Sequence, residues 1–174
     1  KGVLEIGGVS YIGKGRGNLY VTKMSPSGQA LWTTILHGDK TTPYQQFPFN
    51  RIRVNSKGEV YVLGMHFGTM QLGNISLPSP AGKNPLFLAN LATQGQVRWA
   101  KNLGSRGDIP WYGHALHVDK QDQVYAYSRL QGTHTILGKT LVGGKYVGMF
   151  LKLDGQGKLL WSQSITSSTH FSIY

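Results

Sequence analysis

Cysteine is absent from this chain, which excludes disulfides and thiolate chemistry and leaves the compartment open, because proteins without disulfides occur on either side of a bacterial membrane. Acidic residues are scarce, 7 against 18 Lys and Arg, and the formal net charge is +11. Such a surface attracts polyanions such as nucleic acid, acidic glycans or lipid headgroups. The basic residues are nevertheless dispersed, with no run of five or six, as on a surface that is simply solvated. No apolar stretch approaches the roughly 18 to 20 residues of a membrane-spanning helix, so no transmembrane segment is expected. Helical periodicity is also missing. The first residue is Lys1, with no initiator Met and no signal-peptide pattern ahead of it, so the sequence is expected to be a processed product or part of something longer.

What the sequence does have is glycine, 24 residues of it, alternating apolar strands and a tryptophan that returns in register. The segments 22-TKMSPSGQALWTTIL-36, 89-ANLATQGQVRWAKNL-103 and 151-LKLDGQGKLLWSQSI-165 align with Gly28, Gly95 and Gly157 four residues before Trp32, Trp99 and Trp161. In each, an alternating strand runs into a polar turn and a second strand carries the Trp. The Gly sits where a tight hairpin needs a positive φ. The Trp is expected to be largely buried, packing its face between neighbouring sheets.

A second hairpin precedes the last two of these, 52-IRVNSKGEVYVLG-64 and 116-LHVDKQDQVYAYS-128. Ile52, Val54, Val60 and Val62, like Leu116, Val118, Val124 and Ala126, alternate with polar residues at period two and predict a half-buried hairpin. A shorter element lies between the hairpins at Ile6-Gly7, Leu72-Gly73 and Leu137-Gly138. Four antiparallel strands recurring in units of this kind predict an all-β fold, a β-propeller built of four-stranded blades, with about two and a half to three blades in this chain. The whole of 1–174 then reads as one segment: a partial blade at 1–36, blades at 48–103 and 112–166, and the start of a further blade at 167–174. So few blades do not close a ring, so the remainder of a longer chain or further copies must supply the rest. Ends that fall in mid-blade favour the longer chain.

The recurring valine with Asp or Asn, the turn, Val-Tyr-Val, and then Phe-Leu-Lys-Leu-Asp-x-x-Gly-x-x-x-Trp resembles bacterial β-propeller repeats of the SBBP type. The turn Asp of that pattern stands only at Asp154, with Pro26 and Thr93 near its place in the other copies. The resemblance implies an extracellular, cell-surface or periplasmic protein whose role is binding or architecture, with no shared catalytic residues. A sialidase-type Asp box is a different register, since Asp154 stands three residues before Gly157 and Trp161 four after it. The docking repeat of quinoproteins carries one more residue in the same turn.

Candidate chemistry is thin. His114 and His117 are the one close histidine pair, and in a strand an i, i+3 pair points to opposite faces, away from a common metal. Asp119, Asp122 and Asp154 fall in hairpin turns, where carboxylates accept backbone N–H groups. The basic loop 13-GKGRG-17 lacks the Lys-Ser or Lys-Thr ending and following helix of a phosphate loop. No catalytic residue, cofactor or metal ligand is therefore assigned.

Two inter-blade connections stand out instead, 39-DKTTPYQQFPFN-50 and 105-SRGDIPWYGH-114. Tyr44, Phe47, Phe49, Arg106, Trp111 and Tyr112 are the candidate partner-binding residues, because connections of this type gather on one face where aromatic rings stack on glycans or insert against a protein. The same rings would alternatively plug the gap between blades. The expected function is a non-catalytic propeller module, a structural or binding platform with a protein or glycan partner. The alternatives are a fragment of a quinoprotein-like or hydrolytic propeller enzyme whose catalytic blades lie elsewhere, and a basic module that binds polyanions.

Overall fold

The computed structural model describes residues 3–14, 18–38, 51–66, 68–79, 84–106, 114–130, 132–142 and 146–167. Every regular element among them is a β-strand. A short hairpin of β1 (Val3–Ile6) and β2 (Val9–Ile12) is followed by a long one of β3 (Asn18–Met24) and β4 (Ala30–His37). The next group has β5 (Arg51–Val54) and β6 (Val60–Met65), the short pair β7 (Met70–Leu72) and β8 (Ile75–Leu77), and the long pair β9 (Asn84–Leu91) and β10 (Val97–Arg106). The same order returns in β11 (Ala115–Val118), β12 (Val124–Leu130), β13 (His134–Ile136), β14 (Lys139–Leu141), β15 (Tyr146–Leu153) and β16 (Leu159–Ser167). Of the segment 167–174, only Ser167 lies within the described residues.

Two antiparallel four-stranded meanders result, β5-β6-β9-β10 and β11-β12-β15-β16. The third four-stranded sheet, β3-β4-β7-β8, joins two groups: the short pair β7–β8 adds to the preceding group's β4 through Leu36 opposite Leu72 and His37 opposite Gln71. The short pairs place Ile6 opposite Val9, Leu72 opposite Ile75 and Ile136 opposite Lys139. This corrects the sequence alignment by one residue in the third copy. Ile136, 1% exposed, is the counterpart of Leu72, and Leu137 takes the left-handed turn position (φ +49°) that Gly7 and Gly73 fill elsewhere.

Turn chemistry sets where each long hairpin closes. The N–H groups of Gly28, Gly95 and Gly157 donate to the carbonyls of Ser25, Ala92 and Asp154 at 3.0, 2.9 and 2.9 Å, and all three glycines have positive φ. This is a type I turn ended by a left-handed residue, which bulges the outgoing strand. The bulge brings Trp32, Trp99 and Trp161 opposite Lys23, Asn90 and Lys152, the same place in each pairing.

The sheet β5-β6-β9-β10 lies between the other two and is packed on both faces. Val60, Val62, Phe87, Ala89 and Leu91 meet Val21, Leu36, Met70 and Leu72 on one side. Tyr61, Leu63, Met65, Leu86 and Leu88 meet Leu116, Val124, Ala126, Met149 and Leu151 on the other. Strand β6 is buried at every position, so the half-buried expectation fails there. Alternation along a strand sorts residues between faces, and whether both faces are covered depends on the neighbouring sheets. The converse holds at β5, where Ile52 is 50% and Val54 59% exposed while Leu116, at the place of Ile52, is 2% exposed. Strand β11 lies beside β5, and among the described residues no equivalent strand lies on the other side of β5.

The sheets meet along two seams of one design. The Trp32 indole N–H donates to the Thr93 carbonyl at 2.8 Å, and the Thr34 hydroxyl to the Gly95 carbonyl at 2.6 Å. At the next seam the Trp99 indole N–H donates to the Gly155 carbonyl at 3.0 Å, and the Trp99 ring stands over Gly157. Trp32 and Trp99 therefore each dock on the hairpin turn of the group that follows. Trp32 and Trp99 are half-buried, and Trp161, at 38% exposure, departs from the expectation of burial.

Candidate functional site

Tyr44, Phe47, Phe49, Trp111 and Tyr112 lie outside the described residues, and Arg106 closes β10 with its backbone alone described. The described residues do place the points from which the two connections emerge. Arg51, the residue after the first connection, donates from Nε to the carbonyl of His114, the last residue of the second, at 3.0 Å. The adjacency of β5 and β11 brings these ends together, so both aromatic segments lead into the same end of the sheet stack.

Beneath that point is a polar cluster that the sequence analysis did not single out. His114 is 4% exposed, and its Nδ1 lies 2.8 Å from the hydroxyl of the buried Ser128. Arg129, 2% exposed, follows on β12 at the place of Met65 in the preceding group. Comparing Met65 with Arg129 is the signal that would have found it, since a charge in a buried apolar register requires partners. His117 faces elsewhere, with its ring 6.1 Å from that of Tyr125, as the strand geometry of an i, i+3 pair predicts. Among the described residues no three His, Cys, Asp or Glu side chains group to hold a metal ion.

A second buried histidine ties the middle sheet to its short pair. His66, fully buried, has Nδ1 2.8 Å from the Gly68 carbonyl and Nε2 2.9 Å from Oδ1 of Asn102, whose amide N–H donates to the Pro78 carbonyl at 2.8 Å.

Asp119, Asp154, Glu59 and Asp122 are engaged in structure. Oδ1 of Asp119 accepts the N–H groups of Gln121 and Gln123, each at 2.9 Å, and Oδ1 of Asp154 accepts those of Gln156 and Lys158 at 3.0 and 2.8 Å. Both perform the turn role expected of them, and Asn55 does the same for Lys57 and Glu59. Glu59, 8% exposed, is bonded by Asn55 and by the Arg98 guanidinium.

Asp122 differs. It holds the left-handed turn position (φ +59°) that Gly58 holds in the preceding group, and its carboxylate reaches across the seam to the Ser56 N–H and hydroxyl at 3.2 and 3.0 Å and to Lys57 Nζ at 3.2 Å. Desolvation pulls this carboxyl upward, but the hydrogen bonds from Ser56 and Lys57 and the Lys57 charge outweigh it and hold it below the ordinary 3.8. Across the same seam, burial first and then the Glu59 and Asp122 charges push the Tyr61 phenol up to about 12.

A depressed carboxyl contributes stability that is complete above the unfolded value and is lost as pH falls through the folded one. Denaturant midpoints of Asp122→Asn and the parent chain are therefore expected to differ near neutrality and to converge as the pH drops below about 3.8, the unperturbed value. A constant gap across that range would rule out the ionised seam contact.

No protein-family model matches this chain, and no curated protein matches it.

Proposed function

We propose that this chain is a non-catalytic β-propeller module, a structural or binding platform of a bacterial cell-surface, secreted or periplasmic protein of the SBBP-repeat kind. The observation that carries the reading is the bond from Arg51 to His114 at the ends of the two aromatic connections, set on three sheets stacked face to face. Stacked sheets in which the ends of two Pro- and aromatic-rich segments are bonded to each other are suited to glycan or protein contacts, where aromatic anchors are worth about 2 kcal/mol or more each. The turns at 25–28, 55–58 and 154–157 are short and polar and offer little apolar area. The carboxylates described above serve turns and seams, which favours a platform over a hydrolytic or quinoprotein-like enzyme.

Titration of the chain against a panel of soluble polysaccharides, read by tryptophan fluorescence, tests the reading. Trp111→Ala and Tyr44→Ala are each expected to abolish a response that the parent chain gives, with thermal stability unchanged. Binding retained by both variants would move the contacts off the connections.

A second reading rests on the net charge of +11, which suits weak binding of polyanions. Screening limits such attraction to about 8 Å at physiological ionic strength. Retention on heparin resin is expected to fall steeply as salt rises. Elution below physiological salt would leave the charge as a solubility feature and remove nucleic acid and acidic glycans as partners.

A further inference from the structure

The two seams of the fold show what the Trp-bearing strand is built to receive, and the third such strand meets no equivalent turn among the described residues. Among the described residues no acceptor lies on the Trp161 indole N–H, and the ring is 38% exposed. Four residues on, Ile165 is 46% exposed, whereas Leu36 and Leu103, four residues after Trp32 and Trp99, are both 0% exposed. Gln163 stands where Thr34 donates across the first seam, and it too is exposed. An apolar ring, an indole donor, an amide donor and a branched aliphatic therefore line one open strand face.

The other half of a seam is open at the opposite end of the molecule. Gly28 has φ +82°, against +88° and +76° at the seated Gly95 and Gly157, and the turn is closed by the same bond. A Cβ at Gly28 would meet none of the described residues within 4 Å, whereas at Gly95 it would lie 2.7 Å from the Trp32 ring and at Gly157 3.0 Å from that of Trp99. The Pro26 carbonyl occupies the position from which the Thr93 and Gly155 carbonyls accept an indole, and proline's missing N–H does not enter that bond. The short pair β1–β2 is likewise uncovered, with Val3 60%, Val9 51% and Ile12 58% exposed, whereas β7 pairs with β4 and β13 lies against β10.

We propose that the open face of β16 docks the 25–28 turn and the β1–β2 pair of a second copy of this chain, so that copies join head to tail through a third seam. Trp161 donates to the Pro26 carbonyl of the next copy, its ring covers Gly28, and Ile165 packs on the β1–β2 pair. The contact is heterologous: each copy keeps one open half, and assembly continues unless rotation closes a ring. Each copy carries a net charge of +11, so screening of their mutual repulsion strengthens the association, the reverse of polyanion binding. The inference stands on the seam contacts and not on the proposed ligand-binding face, so the two fail separately.

Sedimentation velocity of the full chain over a range of concentrations, at low and high salt, is the test. The weight-average mass is expected to exceed one chain and to rise with both concentration and salt. Trp161→Ala and Gly28→Ala, each checked for folding by circular dichroism, are each expected to weaken association by about thirtyfold or more, as loss of a hot-spot contact does. Ile165→Lys, at an exposed position, provides a second variant of the same face. Mixing Trp161→Ala with Gly28→Ala is expected to restore a complex of two chains with a single junction, because each variant retains the half that the other has lost. A chain that stays monomeric under all conditions overturns the proposal. So does association that survives both variants, or that Trp161→Ala abolishes and Gly28→Ala leaves intact, which would indicate a contact of Trp161 with itself.

Discussion

Replacing Trp99 by alanine is expected to destabilise the chain by about 3 to 5 kcal/mol, the usual cost of emptying a large aromatic site in a core. Its ring packs against the cluster shared by the second and third groups, 6.1 Å from the Tyr61 ring, and its indole N–H is bonded to Gly155. Truncation opens a cavity at a seam and strands a carbonyl that the neighbouring turn has turned inward. The same change at Trp161, 38% exposed and touching Tyr125 edge-on at 6.3 Å, is expected to cost about 1 kcal/mol in the single chain, as for a partly solvated side chain. Trp99→Phe separates the two contributions, because it keeps most of the ring and removes the N–H at about 1 kcal/mol. Urea unfolding of the three variants measures all of this. Equal losses at Trp99 and Trp161 would mean that the residue supports its own hairpin and not the seam.

Alanine at Gly95 is the second large effect. Its backbone sits at φ +88°, and an added Cβ would lie 2.7 Å from the Trp32 ring and 2.8 Å from the Thr34 hydroxyl. The left-handed conformation costs an L-residue about 1 to 2 kcal/mol, and displacing a seated indole adds about 1 to 3 kcal/mol. Gly28→Ala carries the backbone cost alone, since none of the described residues stands near the added atom in the single chain. The difference between these two variants in one unfolding series isolates the cost of the seam from that of the turn. Identical losses would show that Trp32 shifts freely and that the docking on Thr93 contributes nothing.

The hairpins were legible because their causes are local. A glycine four residues before each Trp sets a left-handed turn end, Asp119 and Asp154 tie down their own loops, and alternation at period two marks the strands on either side. The shared register of the three tryptophans follows from the same spacing. Less was legible where a feature depends on what lies opposite. Asp122 reads as another turn carboxylate, yet its partners, Ser56 and Lys57, lie on a different hairpin. The Leu137-Gly138 pair looks like the counterpart of Leu72-Gly73, and only the pairing of Ile136 with Lys139 shows the alignment to be one residue out. The polar cluster of Arg51, His114 and Ser128 was hidden because Arg51 lies 63 residues from His114 in the chain, and the place of His114 beside Ser128 depends on how β11 pairs with β12.

By itself, then, the sequence determined the all-β class of the protein and the places of the long hairpin turns, because positive-φ glycines, Asx-type loops and strand alternation act within a few residues and need no neighbour. The tertiary structure alone decided which faces are covered. It buries β6 on both sides, leaves Ile52 open where Leu116 is closed, seats Trp32 and Trp99 on the next hairpin and leaves Trp161 without one. Burial is a property of stacked sheets and not of a strand, so identical local patterns in successive copies meet different surroundings according to their position in the stack.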